Sequence, residues 1–163
     1  MHDSVMDFVR GHVELLEPDD RTVLEVGSYD VNGAVRGLFE AWPNYLGVDI
    51  TEGPGVDVVV YAGQPYPVSD CSVVVSTEML EHDRRPWVTM QHMMDALAPG
   101  GTLLLTCRGF NEAGSFPFHN PPDRWRFGPG ALEVLAVDVG LKQIRLASDP
   151  QTYGWFLSGK KSQ

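Results

Sequence analysis

Cysteine is scarce in this chain: Cys71 and Cys107 are the only two, and each stands inside an apolar, strand-like run. Two such thiols provide no disulfide framework, and they are expected as buried free cysteines in a reducing cytoplasm. Long apolar runs are missing as well. The most apolar stretch, residues 102–107, is far short of the roughly 20 residues that a membrane-crossing helix needs. Asp3, Asp7 and Arg10 interrupt the N-terminal segment, which therefore lacks the apolar centre of a secretion signal. Basic residues are few, 12 Lys and Arg against 22 Asp and Glu, for a net charge of −10. That balance argues against gripping nucleic acid by bulk electrostatics, while leaving room for a local basic site. The expectation is a cytoplasmic protein with no membrane association.

What is present suits one domain over residues 1–163, with 43% hydrophobic and 21% charged residues. No internal repeat, low-complexity tract or linker divides it. Val5, Phe8, Val9, Val13 and Leu16 recur at helical spacing, so an amphipathic helix is expected over 4–16, within an N-terminal segment 1–20. Strands follow over 22–26, 45–50, 56–61, 71–76 and 102–107, and a short helix carries Val35, Leu38 and Phe39 between the first two. A helix starting at Pro86 should turn Trp87, Met90, Met94 and Leu97 inward until Pro99-Gly100-Gly101 stops it. Residues 109–128 lack periodicity, and a loop of that length is often functional. Pro129 opens a helix through Leu132, Leu135 and Val139 that Gly140 ends, before strands over 141–147 and 153–158.

Strands alternating with helices imply an α/β, Rossmann-like doubly wound sheet built of right-handed crossovers and mostly parallel. The last two strands have no helix between them, so one should be antiparallel. Ligands on such sheets bind beyond the carboxyl ends of the strands. The loops that start at Gly27, Asp49, Tyr61, Ser76 and Arg108 are therefore the ones to inspect.

Gly27 follows a buried strand directly, where a glycine lets the backbone turn sharply and a ligand approach. Asp49 ends the next strand, 22 positions later, near the spacing at which an acid receives ribose hydroxyls. Together they point to an adenosine-containing ligand. A dinucleotide site wants Gly-x-Gly-x-x-Gly around a pyrophosphate. Here Tyr29 and Asn32 hold the second and third glycine places, and Asp30 would repel phosphate. Nicotinamide dinucleotide and ATP are thereby disfavoured. A ligand with ammonium and sulfonium groups tolerates such acids.

Residues 23–33, 45–50, Ser76-Thr77-Glu78-Met79-Leu80-Glu81-His82 and 97–103, in that order, resemble the class I S-adenosylmethionine-dependent methyltransferase superfamily. The Gly-Ser-x-Asp-x-Asn-Gly first loop and the late segment 121–127 are similar to a small methyltransferase-domain branch. The resemblance implies a seven-stranded sheet with a reversed last strand, and S-adenosyl-L-methionine as cofactor. It implies that Glu25 and Gly27, with Ser28 and Tyr29, adjoin the methionine end. Asp49 and Ile50 would serve the ribose, Ala62 and Gly63 the adenine edge, while Thr77, Glu78 and Leu80 flank the cofactor. Two departures stand out: Tyr29 replaces the usual middle glycine, and Tyr61 replaces an acid often found after the third strand.

On the acceptor side, His82, His119, Asp123 and Tyr29 are the candidates for a base. His119, on the long loop, is the preferred one, with Asp123 beside it. His82 is expected to cap or pack the start of a helix, and His92 to sit at a helix surface or at the edge of the core. Arg108, Arg124 and Arg126 gather near this loop and would clamp an anionic acceptor. Arg126, between Trp125 and Phe127, has an equal claim to be a structural pin. No metal site is expected, because no zinc-type ligand spacing exists.

The leading expectation is a methyltransferase for a small O- or N-acceptor such as a sugar, held by the N-terminal helix, the loop 109–128 or the second copy of a homodimer. One alternative is a binding protein of the same fold without turnover. A macromolecule methyltransferase is another, although Asn120-Pro121-Pro122-Asp123 departs from the signature of amino-methylating DNA enzymes.

Overall fold

A computed structural model describes residues 2–110, 123–149 and 151–163. Its centre is a seven-stranded sheet in the order β3-β2-β1-β4-β5-β7-β6. The strands are β1 (Thr22–Val26), β2 (Asn44–Asp49), β3 (Val58–Val59), β4 (Cys71–Thr77), β5 (Leu97–Arg108), β6 (Lys142–Asp149) and β7 (Gly154–Lys160). β1 runs parallel to β2 and β4, β2 to β3, and β4 to β5. β7 is antiparallel to both β5 and β6. It inserts between them because the chain reverses at Thr152 and Tyr153 without a crossover helix.

Both faces of the central strands are buried, which explains why β1 and β4 read as nearly unbroken apolar runs. Leu24, Val26, Val74, Leu103 and Leu105 point to one side. There they meet Met90, Met93 and Met94 of α2 (Pro86–Ala96) and Leu132 and Ala136 of α3 (Pro129–Asp138). Val23, Val73, Val75 and Leu104 face the other side, with Val35, Phe39, Trp42 and Val9 of α1 (Asp3–Val13). Truncating a wholly buried residue such as Leu104 to alanine should cost about 2–5 kcal/mol. Cys71 and Cys107 are free and buried in this core.

Several expectations need correction. The third strand shrinks to Val58–Val59, an exposed edge pair. The short helix after the first loop is one 3₁₀ turn, Arg36–Phe39. Trp87 does not turn inward but is exposed, and its ring meets Trp125 edge-on with centroids 6.1 Å apart. The apolar stripe of α2 centres instead on Pro86, Met90 and Met93, and Trp87 lies outside that arc. Pro99-Gly100-Gly101 stops nothing: α2 ends at Ala96, and these residues belong to an irregular start of β5, where the register against β4 shifts. Such an irregularity accommodates a proline in a strand. Of the loop 109–128, residues 111–122 lie outside the described residues. No helix among the described residues is long and apolar enough to cross a membrane.

Candidate active site

A cleft of about 890 Å³ opens at the carboxyl ends of β1, β2, β4 and β5. Its first wall is the turn after β1. Gly27 has φ +82°, a conformation that favours glycine, and the amides of Gly27 and Ser28 donate to Val48 O at 2.9 and 3.1 Å. The turn is thus pinned to the end of β2, where Asp49 stands. Asp49 Oδ2 accepts from the Tyr29 amide at 3.3 Å and Oδ1 from the Thr51 amide at 3.1 Å. One carboxylate therefore orders both loops flanking the cleft. Asp30 Oδ1 accepts from the Gly33 amide at 2.7 Å and closes the turn.

Glu25 is buried at the base of this wall, and its Oε2 accepts from the Tyr45 hydroxyl at 2.7 Å. Burial pushes its carboxyl up to about 7, against the opposing effects of the Tyr45 hydrogen bond and the Arg36 charge. At the ends of β4 and β5, Glu78 is paired with Arg108. Glu78 Oε1 also accepts from Thr106 Oγ1 at 3.1 Å, and the Glu78 amide donates to Thr106 O at 3.0 Å. Burial raises the Glu78 carboxyl, while Arg108 and Thr106 oppose it. Arg108 Nη2 also lies 3.1 Å from His2 Nε2, so the N-terminal segment reaches the rim.

The third wall is built by the 3₁₀ turn Leu80–His82 and the segment 123–127. The amides of Arg124 and Trp125 donate to Glu81 O at 2.8 and 3.1 Å. Arg124 Nε donates to His82 O at 3.1 Å, and Trp125 Nε1 to Asp83 O at 2.6 Å. His82 Nδ1 lies 3.1 Å from Asp123 Oδ1, and Arg126 pairs with the other carboxylate oxygen of Asp123. The Glu81 side chain is buried beneath, its carboxyl raised first by burial and then by Glu78.

Most of the residues singled out in the sequence come together in this cleft. Glu25, Gly27, Ser28, Tyr29, Asp49, Ile50, Ala62, Gly63, Thr77, Glu78, Arg108 and Arg124 all line it. Leu80 does not; it is fully buried in the core, so it cannot flank a ligand there. Arg126 does not line it either: its side chain is 3% exposed and held by Asp123, which favours the structural pin over the anion clamp. Asp123 is 2% exposed and engaged on both oxygens, so it is not itself positioned to reach an acceptor. Arg108 is neutralised by Glu78, which weakens its part in a clamp. His82 is not a cap but a lining residue, and His119 lies outside the described residues. His2, which also lines the cleft, carried no sequence signal, and Met79 stood in the 76–82 motif without being singled out. Among the described residues no group of three or more His, Cys, Asp or Glu could hold a metal ion.

The donor set fits S-adenosylmethionine. Glu25, Asp30, Asp49 and Glu78 line a space that suits a ligand with cationic groups and vicinal hydroxyls, and disfavours a polyphosphate. The strand order 3-2-1-4-5-7-6 with a reversed β7 is that of the class I S-adenosylmethionine-dependent methyltransferase fold, and this chain has that fold. No family model matches the chain, and neither does any curated protein sequence. Solved structures do. It is similar to an S-adenosylmethionine-dependent methyltransferase from Aquifex aeolicus, with a TM-score of 0.71 and 14% identity over 96% of this chain and 90% of that one. It is similar also to the Burkholderia thailandensis 1,6-didemethyltoxoflavin-N1-methyltransferase, solved with 1,6-didemethyltoxoflavin and S-adenosylhomocysteine bound. There the TM-score is 0.70 and the identity 14%, over 98% and 79% of the two chains. The [4+2]-cyclase SpnF gives a TM-score of 0.73 at 16% identity, over 96% and 80%.

Proposed function

We propose that this chain is an S-adenosylmethionine-dependent methyltransferase acting on a small molecule through an oxygen or nitrogen atom. The observation that carries the proposal is the Asp49 carboxylate, fixed at the end of β2 by the Tyr29 and Thr51 amides on the rim of an acid-lined cleft. A carboxylate so placed accepts from two vicinal hydroxyls of a ribose. Asp49 and Ile50 then hold the ribose, Ala62 and Gly63 the adenine edge, and Glu25, Gly27, Ser28 and Tyr29 the methionine end. Thr77 and Glu78 close the floor.

S-adenosylmethionine supplies an electrophilic methyl group on a sulfonium. The protein's part is alignment and exclusion of water, which together account for much of the rate of an in-line transfer. Arg124 is exposed on the acceptor wall and offers a guanidinium to an anionic acceptor. In this reading the acceptor is held by the N-terminal helix, by the loop 109–128 with His119, or by the second copy of a homodimer. The cytoplasm is the compartment proposed, in keeping with two unpaired thiols.

Calorimetric titration with S-adenosylmethionine, S-adenosylhomocysteine, NAD and ATP tests the assignment. Tight binding of the first two alone is expected. Binding of NAD or ATP with no response to either sulfur ligand would reject it. S-adenosylhomocysteine release over a panel of hydroxyl and amine acceptors then tests transfer. The [4+2]-cyclase among the structural neighbours favours a second reading, in which the fold binds the cofactor without moving its methyl group. Binding without release over that panel would support it.

A further inference from the structure

With 22 acids against 12 bases, a guanidinium that lacks a carboxylate partner is the exception in this chain. Arg10, Arg21, Arg36, Arg108 and Arg126 each pair with an aspartate or a glutamate. Among the described residues Arg84, Arg85, Arg124 and Arg145 pair with none. Arg145 is exposed on β6, at one edge of the sheet. The other three gather about the third wall of the cleft, and Arg84 and Arg124 line it, both exposed.

Their charge stays uncompensated because the local acids are used elsewhere. Asp83 Oδ1 accepts from the Arg85 amide at 3.0 Å and Oδ2 from Thr89 Oγ1, which ties that carboxylate to the start of α2. Asp123 is paired with Arg126, and its side chain is 2% exposed. Glu81 is buried beneath. Arg85 reaches the other way, its Nη2 donating to Ala62 O at 3.4 Å across Gly63. Arg124 is held in place: its amide donates to Glu81 O and its Nε to His82 O at 3.1 Å. Nη1 and Nη2 are left with no partner among the described residues. Arg84 follows His82 by two residues, so their Cα atoms stand within about 8 Å, and the flexible Arg84 stem spans the remainder. One small anionic group can meet both guanidiniums.

Solubility does not explain this pair, since a chain of net charge −10 is already kept apart from its copies by its acids. The cleft is polarised. Glu25, Asp30 and Asp49 stand at the ends of β1 and β2, Arg84 and Arg124 on the wall after β4, and Glu78 and Arg108 neutralise each other. Phosphate is repelled from the first region and attracted to the second. Two uncompensated positive charges match a dianion better than a monoanion. A phosphate monoester carries nearly two negative charges at neutral pH and offers three acceptor oxygens. The Nη1–Nη2 fork of Arg124 and the guanidinium of Arg84 supply the donors.

We infer that Arg84 and Arg124 form a phosphate-binding subsite in this cleft, and that the methyl acceptor is a small phosphate monoester. The subsite stands on the charge distribution, whereas its assignment to the acceptor rests on the methyltransferase reading. A polynucleotide is the wrong partner, because its grip takes a row of phosphate contacts and the net charge repels it.

Calorimetric titration of the full-length protein saturated with S-adenosylhomocysteine tests the subsite. The probes are inorganic phosphate, and glucose 6-phosphate, glucuronate and glucose, which carry a dianion, a monoanion and no charge on one ring. Both phosphate probes should bind, about tenfold more weakly in Arg84→Gln and in Arg124→Gln. Arg145→Gln removes the same charge from β6 and should leave the affinity unchanged. S-adenosylhomocysteine affinity should hold in all three variants, which shows that each folds. Absence of phosphate binding, or binding indifferent to both cleft variants, overturns the subsite. So does an equal loss in Arg145→Gln. Glucuronate or a short single-stranded RNA bound as tightly as glucose 6-phosphate overturns the choice of a small phosphate monoester. Failure to bind S-adenosylhomocysteine sinks the methyltransferase reading and the acceptor assignment, while phosphate titration of the ligand-free protein still decides the subsite.

In S-adenosylhomocysteine release assays, phosphorylated acceptors should show a lower KM than their neutral parents. Arg84→Gln and Arg124→Gln should raise that KM about tenfold with kcat little changed, the pattern of binding lost equally from ground and transition states. Acceptors turned over equally well with and without their phosphate overturn the assignment.

Discussion

Glu78 and Arg108 form an ion pair at the adjoining carboxyl ends of β4 and β5, and the Glu78 backbone there takes a left-handed φ of 51°. Their side chains are 17% and 21% exposed, so the pair is largely desolvated. Removing one member of such a pair strands the other. Arg108→Gln should destabilise the fold by about 3 kcal/mol, measured by denaturant unfolding at pH 8. Glu78→Gln should cost less, because burial already favours the neutral form of that carboxyl. The penalty of Arg108→Gln should grow as pH rises, since the buried acid must then ionise without its partner. Equal costs at pH 5 and pH 8 would contradict this account.

Glu25 makes the stability of the wild type depend on pH. Its carboxyl rises from 4.5 to about 7 on folding, so the native state holds the proton over a window in which the unfolded chain has released it. Stability contributed by this group is full below about pH 4.5 and falls as pH climbs to 7, by about 3 kcal/mol in all. Glu25→Gln should flatten the dependence across that window, checked by urea unfolding at closely spaced pH values. A cationic ligand beside Glu25 should favour its ionised form. Calorimetry near pH 6 in buffers of different ionisation enthalpy should then detect proton release on S-adenosylmethionine binding.

Asp49→Ala removes the proposed ribose acceptor together with the partner of the Tyr29 and Thr51 amides. Loss of a charged hydrogen-bonding partner should weaken S-adenosylmethionine binding by roughly 1.5–3 kcal/mol. Thermal unfolding without ligand should change little, because both amides lie in exposed loops open to water. Unchanged affinity in a folded variant would remove Asp49 from the site.

Gly27→Ala should harm the fold before it harms binding. A Cβ on Gly27 would fall 2.5 Å from Met79 Cγ, and the φ of +82° is strained for any side chain. A loss of about 1–3 kcal/mol in unfolding free energy is expected. The obstruction is the Met79 side chain, which itself lines the cleft beside the turn. Met79 Cβ would stand at 2.7 Å as well, so Gly27→Ala combined with Met79→Gly, which removes both atoms, should recover part of the loss. A wild-type melting temperature in the single variant would show the turn to be misplaced.

Much of the fold was legible locally. Each central strand announces itself by apolar residues on both faces, and the Gly27 turn and Asp49 sit at strand ends, where chain order alone places them on the cleft side. The reversed β7 followed from two strands with no room for a crossover. The limits of the elements were less legible. β3 lost most of its expected length because an edge strand gains hydrogen bonds on one side alone, and Trp87 left the core because the stripe of α2 fell one position away.

By itself, then, the sequence determined the order of the elements, the loops that meet at the sheet's carboxyl edge, and the acidic character of the residues about the cleft. Those properties follow from periodicity and from residue chemistry within a few positions. Only the tertiary structure decided which polar side chains face the cleft and which serve beneath it. His82 and Asp123 stand far apart in the chain and meet because Glu81 O draws the amides of Arg124 and Trp125 onto the end of β4. The same packing sealed Leu80 in the core and tied Arg126 to Asp123. A contact between distant segments depends on how the strands register and how a loop folds back, and no local pattern encodes that distance.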